Sequence, residues 1–398
     1  MPYVLLGLAV FGLISSTVFA AMALGAVPGY LRERRRALAQ LADVRPGFTP
    51  PLTLLKPVHG TEPGLEAHLA TFFEQDYPEY EILFCARTAD DAGLQTARRV
   101  AGRYPRIAVK FLATGGQPDY INAKVASMER MEAEAAHEIL VISDSDVRVS
   151  PEYLRAVALP FADQRVGAMC CPYRGVAVPQ GESGAGLWAR LEAVGMSVEM
   201  TAGVLVARSL EGMQFVLGPT MAFRRETILK MGGFKVTADY CADDFVLGNE
   251  TYKLGQTVVL SHHAIDHMVI NSSFVSSMKH QVRWMKSTRF SRPRGHMGTA
   301  LTFSLPFGLL GWAAAAWLGH PWCGLGLLGW AMLTRLTLSI AVGRLVVGDA
   351  SWFGLLALYP LRDLMGFGFW VASYLGSRIL WRGRVFQLLP KGKMRAAE

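Results

Sequence analysis

The 398-residue chain contains no CxxC pair and has an odd number of cysteines (Cys85, Cys170, Cys171, Cys241 and Cys323). That pattern suggests neither a disulfide framework nor a zinc knuckle. Cys170 and Cys171 lie in an apolar stretch and read as small buried side chains of a reducing compartment. Charge is scarce at 18% of residues, and none occurs between residues 3 and 27. A run of that length covers a bilayer and weighs against a purely soluble chain. Positive charge is also missing ahead of the run, where a cleaved signal peptide needs it. Arg32, Arg34, Arg35 and Arg36 come after the run instead. An uncleaved anchor is expected, with its N-terminus outside and the arginines in the cytoplasm.

Acidic residues are outnumbered 32 to 40 by Lys and Arg, which leaves a formal charge of +8. The basic clusters stand beside apolar segments, where anionic headgroups are the natural partner, so no nucleic-acid partner is expected. Residues 50–294 have a globular composition, and apolar blocks return at 301–318, 323–347 and 352–375. The expected organisation is a transmembrane anchor (1–30), a basic juxtamembrane linker (31–49), a cytoplasmic catalytic domain (50–295), membrane segments (299–380) and a basic tail (381–398). Arg335, Arg344, and Arg362 beside Asp363 are costly in mid-bilayer unless paired, snorkelling or interfacial. The tail carries Arg378, Arg382, Arg384, Lys391, Lys393 and Arg395 and argues for a cytoplasmic end, which three full C-terminal crossings would contradict. One block is therefore expected to be re-entrant or interfacial.

Within the globular part, apolar runs at 52–55, 81–85, 107–112 and 139–142 alternate with helical patterns at 64–75, 89–102 and 122–135. This rhythm predicts an α/β fold with a mostly parallel, doubly wound sheet, whose ligands bind beyond the carboxyl ends of the strands.

The acidic motifs stand just after those strands. Asp144-Ser145-Asp146 succeeds the fourth run, and two carboxylates on a turn can converge on Mg2+ or Mn2+ whose remaining sites take diphosphate oxygens. Asp90 and Asp91 come after the second run and either contact a nucleotide's base or ribose or cap the next helix. Beyond Gly232-Gly233-Phe234 lies the pair Asp243-Asp244. A carboxylate there is a candidate general base, and a helix cap is the other role open to one member. Lys124 either meets donor phosphates or is simply solvated. Ahead of the membrane blocks, Arg283 can grip phosphate with its planar fork while Trp284 packs beside a sugar. The cations around them (Lys279, Lys286, Arg289, Arg292 and Arg294) suit a juxtamembrane belt. Residues 187–223, rich in Met, Leu, Val and Gly, either line an apolar lipid groove or form core, with Met196, Met200 and Met213 as markers.

The series Asp90-Asp91, Asp144-Ser145-Asp146, Gly232-Gly233-Phe234, Asp243-Asp244 and Arg283-Trp284 resembles the D, DxD, D, (Q/R)xxRW motifs of family 2-like glycosyltransferases. It is more similar to family 21, the ceramide glucosyltransferases and bacterial hopanoid-biosynthesis glycosyltransferases, and with the flanking apolar segments the resemblance covers nearly the whole chain. It implies a GT-A fold and an inverting transfer of glucose or N-acetylglucosamine from a UDP-sugar to the hydroxyl of a membrane lipid, a ceramide or a bacteriohopane polyol. The resemblance further implies Asp91 or Asp90 at the nucleotide, Asp144 and Asp146 at the metal, Asp244 as base, and Lys124, Arg283 and Trp284 on the donor side. His280 stands where the family pattern has Gln or Arg; His280 and the adjacent Gln281 are both carried as donor contacts. The expected location is the inner membrane, multi-pass, with the catalytic domain facing the cytoplasm. A processive polysaccharide synthase would normally carry more spanning helices, and an inactive membrane scaffold would not need every carboxylate.

Overall fold

In the computed structural model the described residues are 1–42, 47–179, 185–271, 273–381 and 383–397. The chain divides into two compact units. One comprises Arg32–Tyr173 and Glu211–Ile270; the other comprises Met1–Leu31, Arg174–Leu210 and Asn271–Glu398.

The strands in chain order are β1 (Leu52–Pro57), β2 (Tyr80–Ala86), β3 (Ala108–Ala113), β4 (Ile139–Ser143), β5 (Val147–Arg148), β6 (Val166–Cys170), β7 (Tyr173–Ala177), β8 (Thr220–Arg224), β9 (Thr257–Leu260) and β10 (Ile265–Val269). The first unit is organised on a seven-stranded sheet of order β3-β2-β1-β4-β8-β6-β9. β3, β2, β1 and β4 run parallel, β8 lies antiparallel between β4 and β6, and β6 pairs parallel with β9. Strands such as β2 and β4 are buried at every position, as their near-continuous apolar sequence requires of central parallel strands. Helices Leu65–Ala70, Ala92–Ala101 and Ala123–Glu134 come after β1, β2 and β3, so the expected α/β rhythm is present. Two of these helices start at strong caps. Asp91 accepts from the N–H of Gly93 and of Leu94, and Asn122 accepts from the N–H of Lys124. A short antiparallel pair, β5 with β10, flanks the carboxyl end of β4.

The second unit is helical and apolar. Among the described residues four helices are long and apolar enough to cross a membrane: Pro2–Ala42, Leu187–Glu211, Pro321–Val346 and Gly354–Ala372. Pro293–Thr302 and Leu305–Trp317 pass the same test only as a pair bent by 51°. The 13 residues of Leu305–Trp317 rise only about 20 Å, short of a hydrocarbon core of about 30 Å.

Arg335, Arg362 and Asp363 inside the apolar blocks are paired, and Arg344 donates to the Asp349 carbonyl at 3.4 Å. Arg335 Nη1 lies 3.1 Å from Asp363 Oδ1, and Asp363 Oδ2 accepts from the N–H of Ser304 and Leu305, capping the helix that begins there. Arg362 Nη2 reaches both Glu199 Oε2 and Gln281 Oε1 at 3.0 Å. These partners offset the desolvation that isolated charges would suffer.

Four expected boundaries move, the first being the end of the 50–295 domain, which falls at Ile270 because Asn271–Glu398 groups with the apolar helices. Residues 31–42 continue the first helix, because nothing after Pro28 breaks it, so any linker begins only after Ala42; 43–46 lie outside the described residues. Arg174–Leu210 groups with the membrane helices and not with the 50–295 domain, consistent with its apolar sequence. Most of 381–398 is folded: β11 (Arg378–Trp381), β12 (Arg384–Leu388) and β13 (Met394–Ala396) form an antiparallel sheet with Ile379, Phe386, Leu388 and Met394 buried. Arg382 lies outside the described residues. Met196 and Met213 are buried as core, whereas Met200 is 38% exposed.

Candidate active site

At the carboxyl end of β4 the chain turns through Asp144-Ser145-Asp146 into β5. Several bonds fix this turn. The Asp144 N–H donates to the Pro219 carbonyl (3.2 Å), Lys56 Nζ donates to the Asp144 carbonyl (2.7 Å), and Ser145 Oγ donates to Glu62 Oε2 (3.2 Å). Lys124, in the first turn of its helix, places Nζ 2.7 Å from Asp144 Oδ1 and 3.6 Å from Asp243 Oδ2. His267 Nε2 on β10 lies 3.0 Å from Asp146 Oδ2.

The two carboxylates are electrostatically distinct. Burial raises the Asp144 carboxyl above its ordinary value despite Lys124. Burial pushes Asp146 the same way, but His267 and Lys56 outweigh it and hold Asp146 low. Burial lowers the Lys124 ammonium, yet Asp144 and Asp243 more than reverse this. Lys56 is pulled down to about 7 by burial, against Asp144, Asp146 and Glu62.

Asp146 Oδ1 is buried and makes no hydrogen bond, an uncompensated acceptor of the kind a cation or a donor group satisfies. Hard carboxylate oxygens on one turn fit Mg2+ or Mn2+. Among the described residues no group of three or more His, Cys, Asp and Glu side chains converges on a metal position, so diphosphate and water would complete the sphere.

Asp243 and Asp244 open the helix Asp243–Lys253. The preceding glycine turn has φ of 96° at Gly232 and 86° at Gly233, a region that disfavours side chains. Asp243 faces Lys124. Asp244 Oδ2 accepts from the Gly218 N–H (2.9 Å) and Oδ1 from its neighbour Phe245's N–H (2.8 Å). Burial, then the adjacent Asp243, pushes Asp244 up to about 6. A carboxylate so tuned is ionised at neutral pH yet more basic than an ordinary aspartate.

Asp90 and Asp91 separate cleanly. Asp91 is the helix cap, and both its oxygens also accept from the Gly60 N–H at 3.1 Å, tying the segment after β1 to that helix. Asp90 is exposed.

The remaining expected residues lie on the helix Phe274–Ser291 of the second unit. His280 Nδ1 is 2.6 Å from Oε1 of buried Glu192, which also accepts from Asn271 and Ser277, and the His280 ring stacks obliquely on Trp284 at 4.6 Å. Gln281 is buried, and its Oε1 accepts from Arg362 Nη2. Arg283 and Trp284 are half-buried.

A parallel-sheet edge bearing a carboxylate turn, a cation bridging it to a second acidic pair, and a tuned aspartate is suited to group transfer from an anionic donor. The sequence pattern of glycosyl transferase family 21 matches residues 13–394, and the chain belongs to this family. It is a glycosyltransferase with a GT-A domain and several apolar helices, one at the N-terminus. It is similar to ceramide glucosyltransferase 1 of Caenorhabditis elegans, 22% identical over 354 residues covering 88% of this chain and 74% of the relative. Over 101 residues it is 32% identical to the ceramide glucosyltransferase of Komagataella phaffii, covering 25% and 20% of the two chains. Among solved structures it is similar to mannosyltransferase PcManGT from Pyrobaculum calidifontis in complex with GDP-Man and Mn2+, with a TM-score of 0.46 and 21% identity over 92% of this chain and 98% of that one.

Sequence reasoning overlooked Lys56, Glu62, His267 and Glu192. Lys56 left a signal: a lysine directly after the apolar run 52–55, at the carboxyl end of a predicted parallel strand. His267 left none, since a histidine in a short apolar run carries no mark of the partner it meets across the sheet.

Proposed function

We propose that this glycosyltransferase transfers glucose or N-acetylglucosamine from a UDP-sugar, with inversion, to the hydroxyl of a membrane lipid, a ceramide or a hopanoid such as a bacteriohopane polyol. The single observation that carries the chemistry is Asp244, a half-buried ionisable carboxylate beside Asp243 and Lys124 with both oxygens oriented by backbone N–H groups. The ceramide glucosyltransferase relatives support a lipid acceptor.

In the proposed reaction the acceptor oxygen attacks the anomeric carbon as its proton passes to Asp244, and the bond to the diphosphate breaks with its electron pair leaving on UDP. The Gly218 and Phe245 N–H groups hold the carboxylate in place. Asp144 and Asp146 would hold Mg2+ or Mn2+, which when bound neutralises charge building on the diphosphate. Lys124 orients Asp144 and adds a cation on the donor side. Asp90 is the exposed candidate for the nucleotide, while Asp91 shapes the segment that would receive it. Arg283 and Trp284 are proposed as phosphate and sugar contacts, with His280 orienting Trp284. The apolar helices would hold the enzyme in the inner membrane with its catalytic unit in the cytoplasm, which raises the effective concentration of an insoluble acceptor.

The test is a matrix of UDP-glucose and UDP-N-acetylglucosamine against ceramide and a bacteriohopane polyol, with and without Mn2+, with lipids analysed by mass spectrometry. A metal-dependent glycolipid with one pair is the expected result. Retained donor binding with no glycolipid from any pair would reject the proposed acceptors.

A further inference from the structure

Lys56 is fully buried at the end of β1, beneath the Asp144-Ser145-Asp146 turn. Burying a lysine is costly, and such groups persist where their donors are used. Its Nζ donates to the Asp144 carbonyl at 2.7 Å and lies 3.4 Å from Ser143 Oγ and 3.6 Å from the centroid of the Phe72 ring. Ser143 Oγ in turn accepts from Thr220 Oγ1 (3.3 Å), which accepts from Tyr153 Oη (3.4 Å). All four residues are inaccessible to solvent, so a buried polar chain runs beneath the turn.

The turn is held at two points. The Asp144 N–H is bound to Pro219 of the segment before β8, and the Asp144 carbonyl is bound to Lys56 of β1. The second bond fixes the peptide plane between Asp144 and Ser145, and so the relative direction of the two carboxylates on either side. No other hydrogen-bond donor to that carbonyl is seen among the described residues.

We infer that Lys56 is a positioning residue: by hydrogen bonding the Asp144 carbonyl from below, it orients the Asp144 and Asp146 carboxylates to bind a nucleoside diphosphate together with a divalent cation. This rests on the proposed function. The role is that of a donor, and Lys56 does not touch the substrate.

The test compares wild type with Lys56→Met, which keeps the stem over Phe72 and removes the donors, and Lys56→Gln, which restores a shorter donor. UDP binding is followed by calorimetry on the full-length protein in detergent across a Mn2+ titration, beside thermal unfolding without either ligand. Lys56→Met is expected to need about tenfold more Mn2+ for half-saturation, the effect typical of losing a residue that orients a metal ligand, with an unchanged or higher melting temperature. Lys56→Gln should recover part of the loss. Equal Mn2+ and UDP binding in wild type and folded Lys56→Met would overturn the inference. Failure of both variants to fold would also overturn it, by assigning the lysine to stability. If wild type itself shows no metal-dependent UDP binding, the proposed function fails first.

Discussion

Asp244 carries the sharpest residue-scale expectations. Asp244→Asn keeps the shape and, through its single amide oxygen, can accept one of the two backbone hydrogen bonds, but it cannot take a proton. Its kcat should fall by about 10²–10⁴-fold, the usual worth of a general base, while UDP binding changes little. Equal transfer rates in the two proteins would remove Asp244 from the reaction. The pH profile carries a second expectation. The carboxyl is raised to about 6, and only its ionised form accepts a proton, so kcat/KM should be flat above about 7 and fall about tenfold per unit below 6. A fall confined to pH below 4 would mean that a carboxylate at its ordinary value acts instead. Asp144, Asp146 and Asp244 were legible because each comes after an apolar run or glycine turn. The division of labour between Asp90 and Asp91 was not legible, since neighbouring carboxylates differ only in which one meets backbone N–H groups. His267 was hidden because pairing between β5 and β10 is non-local and leaves no periodic trace.

At the scale of elements, the parallel strands were readable from their continuous apolar runs, and the helices between them from their spacing. The antiparallel β8 was not, because Thr220–Arg224 has the same composition as a parallel strand and only its pairing with β4 and β6 shows its direction. Residues 187–223 read from composition as either a groove or core, and the charges Arg190, Glu192, Glu199, Arg208 and Glu211 mask the long apolar helix Leu187–Glu211 within them. Two of them meet distant partners, Glu192 at 2.6 Å from His280 Nδ1 and Glu199 at 3.0 Å from Arg362 Nη2. Gly195 makes the Arg362 contact possible, since a Cβ there would collide with its guanidinium. Gly195→Ala should therefore cost about 1–3 kcal/mol through displaced packing, seen as a lower melting temperature in detergent. An unchanged melting temperature would show that Arg362 has other room. UDP binding, proposed to centre on the carboxylates of the other unit, should persist in the folded fraction.

For the whole molecule, composition and charge asymmetry pointed to apolar helices long enough to cross a membrane, one at the N-terminus, but could not divide the chain. The chain enters the helical unit three times, and the middle passage, Arg174–Leu210, is flanked on both sides by segments of the sheet-bearing unit. Such interleaving leaves no boundary in composition. The proposed orientation makes a topological prediction. With Cys323 replaced, a cysteine at Tyr3 should react with an impermeant thiol reagent from outside intact cells, and one at Lys230 only after permeabilisation. The opposite pattern would reverse the orientation. The central claim is sugar transfer to lipid using Asp244, and its most direct measurement is lipid glycoside formation from a UDP-sugar by wild type and Asp244→Asn in matched nanodiscs. The account predicts glycolipid from wild type and little or none from Asp244→Asn at equal UDP occupancy. Equal glycolipid from both, or free sugar without glycolipid from wild type, would contradict it.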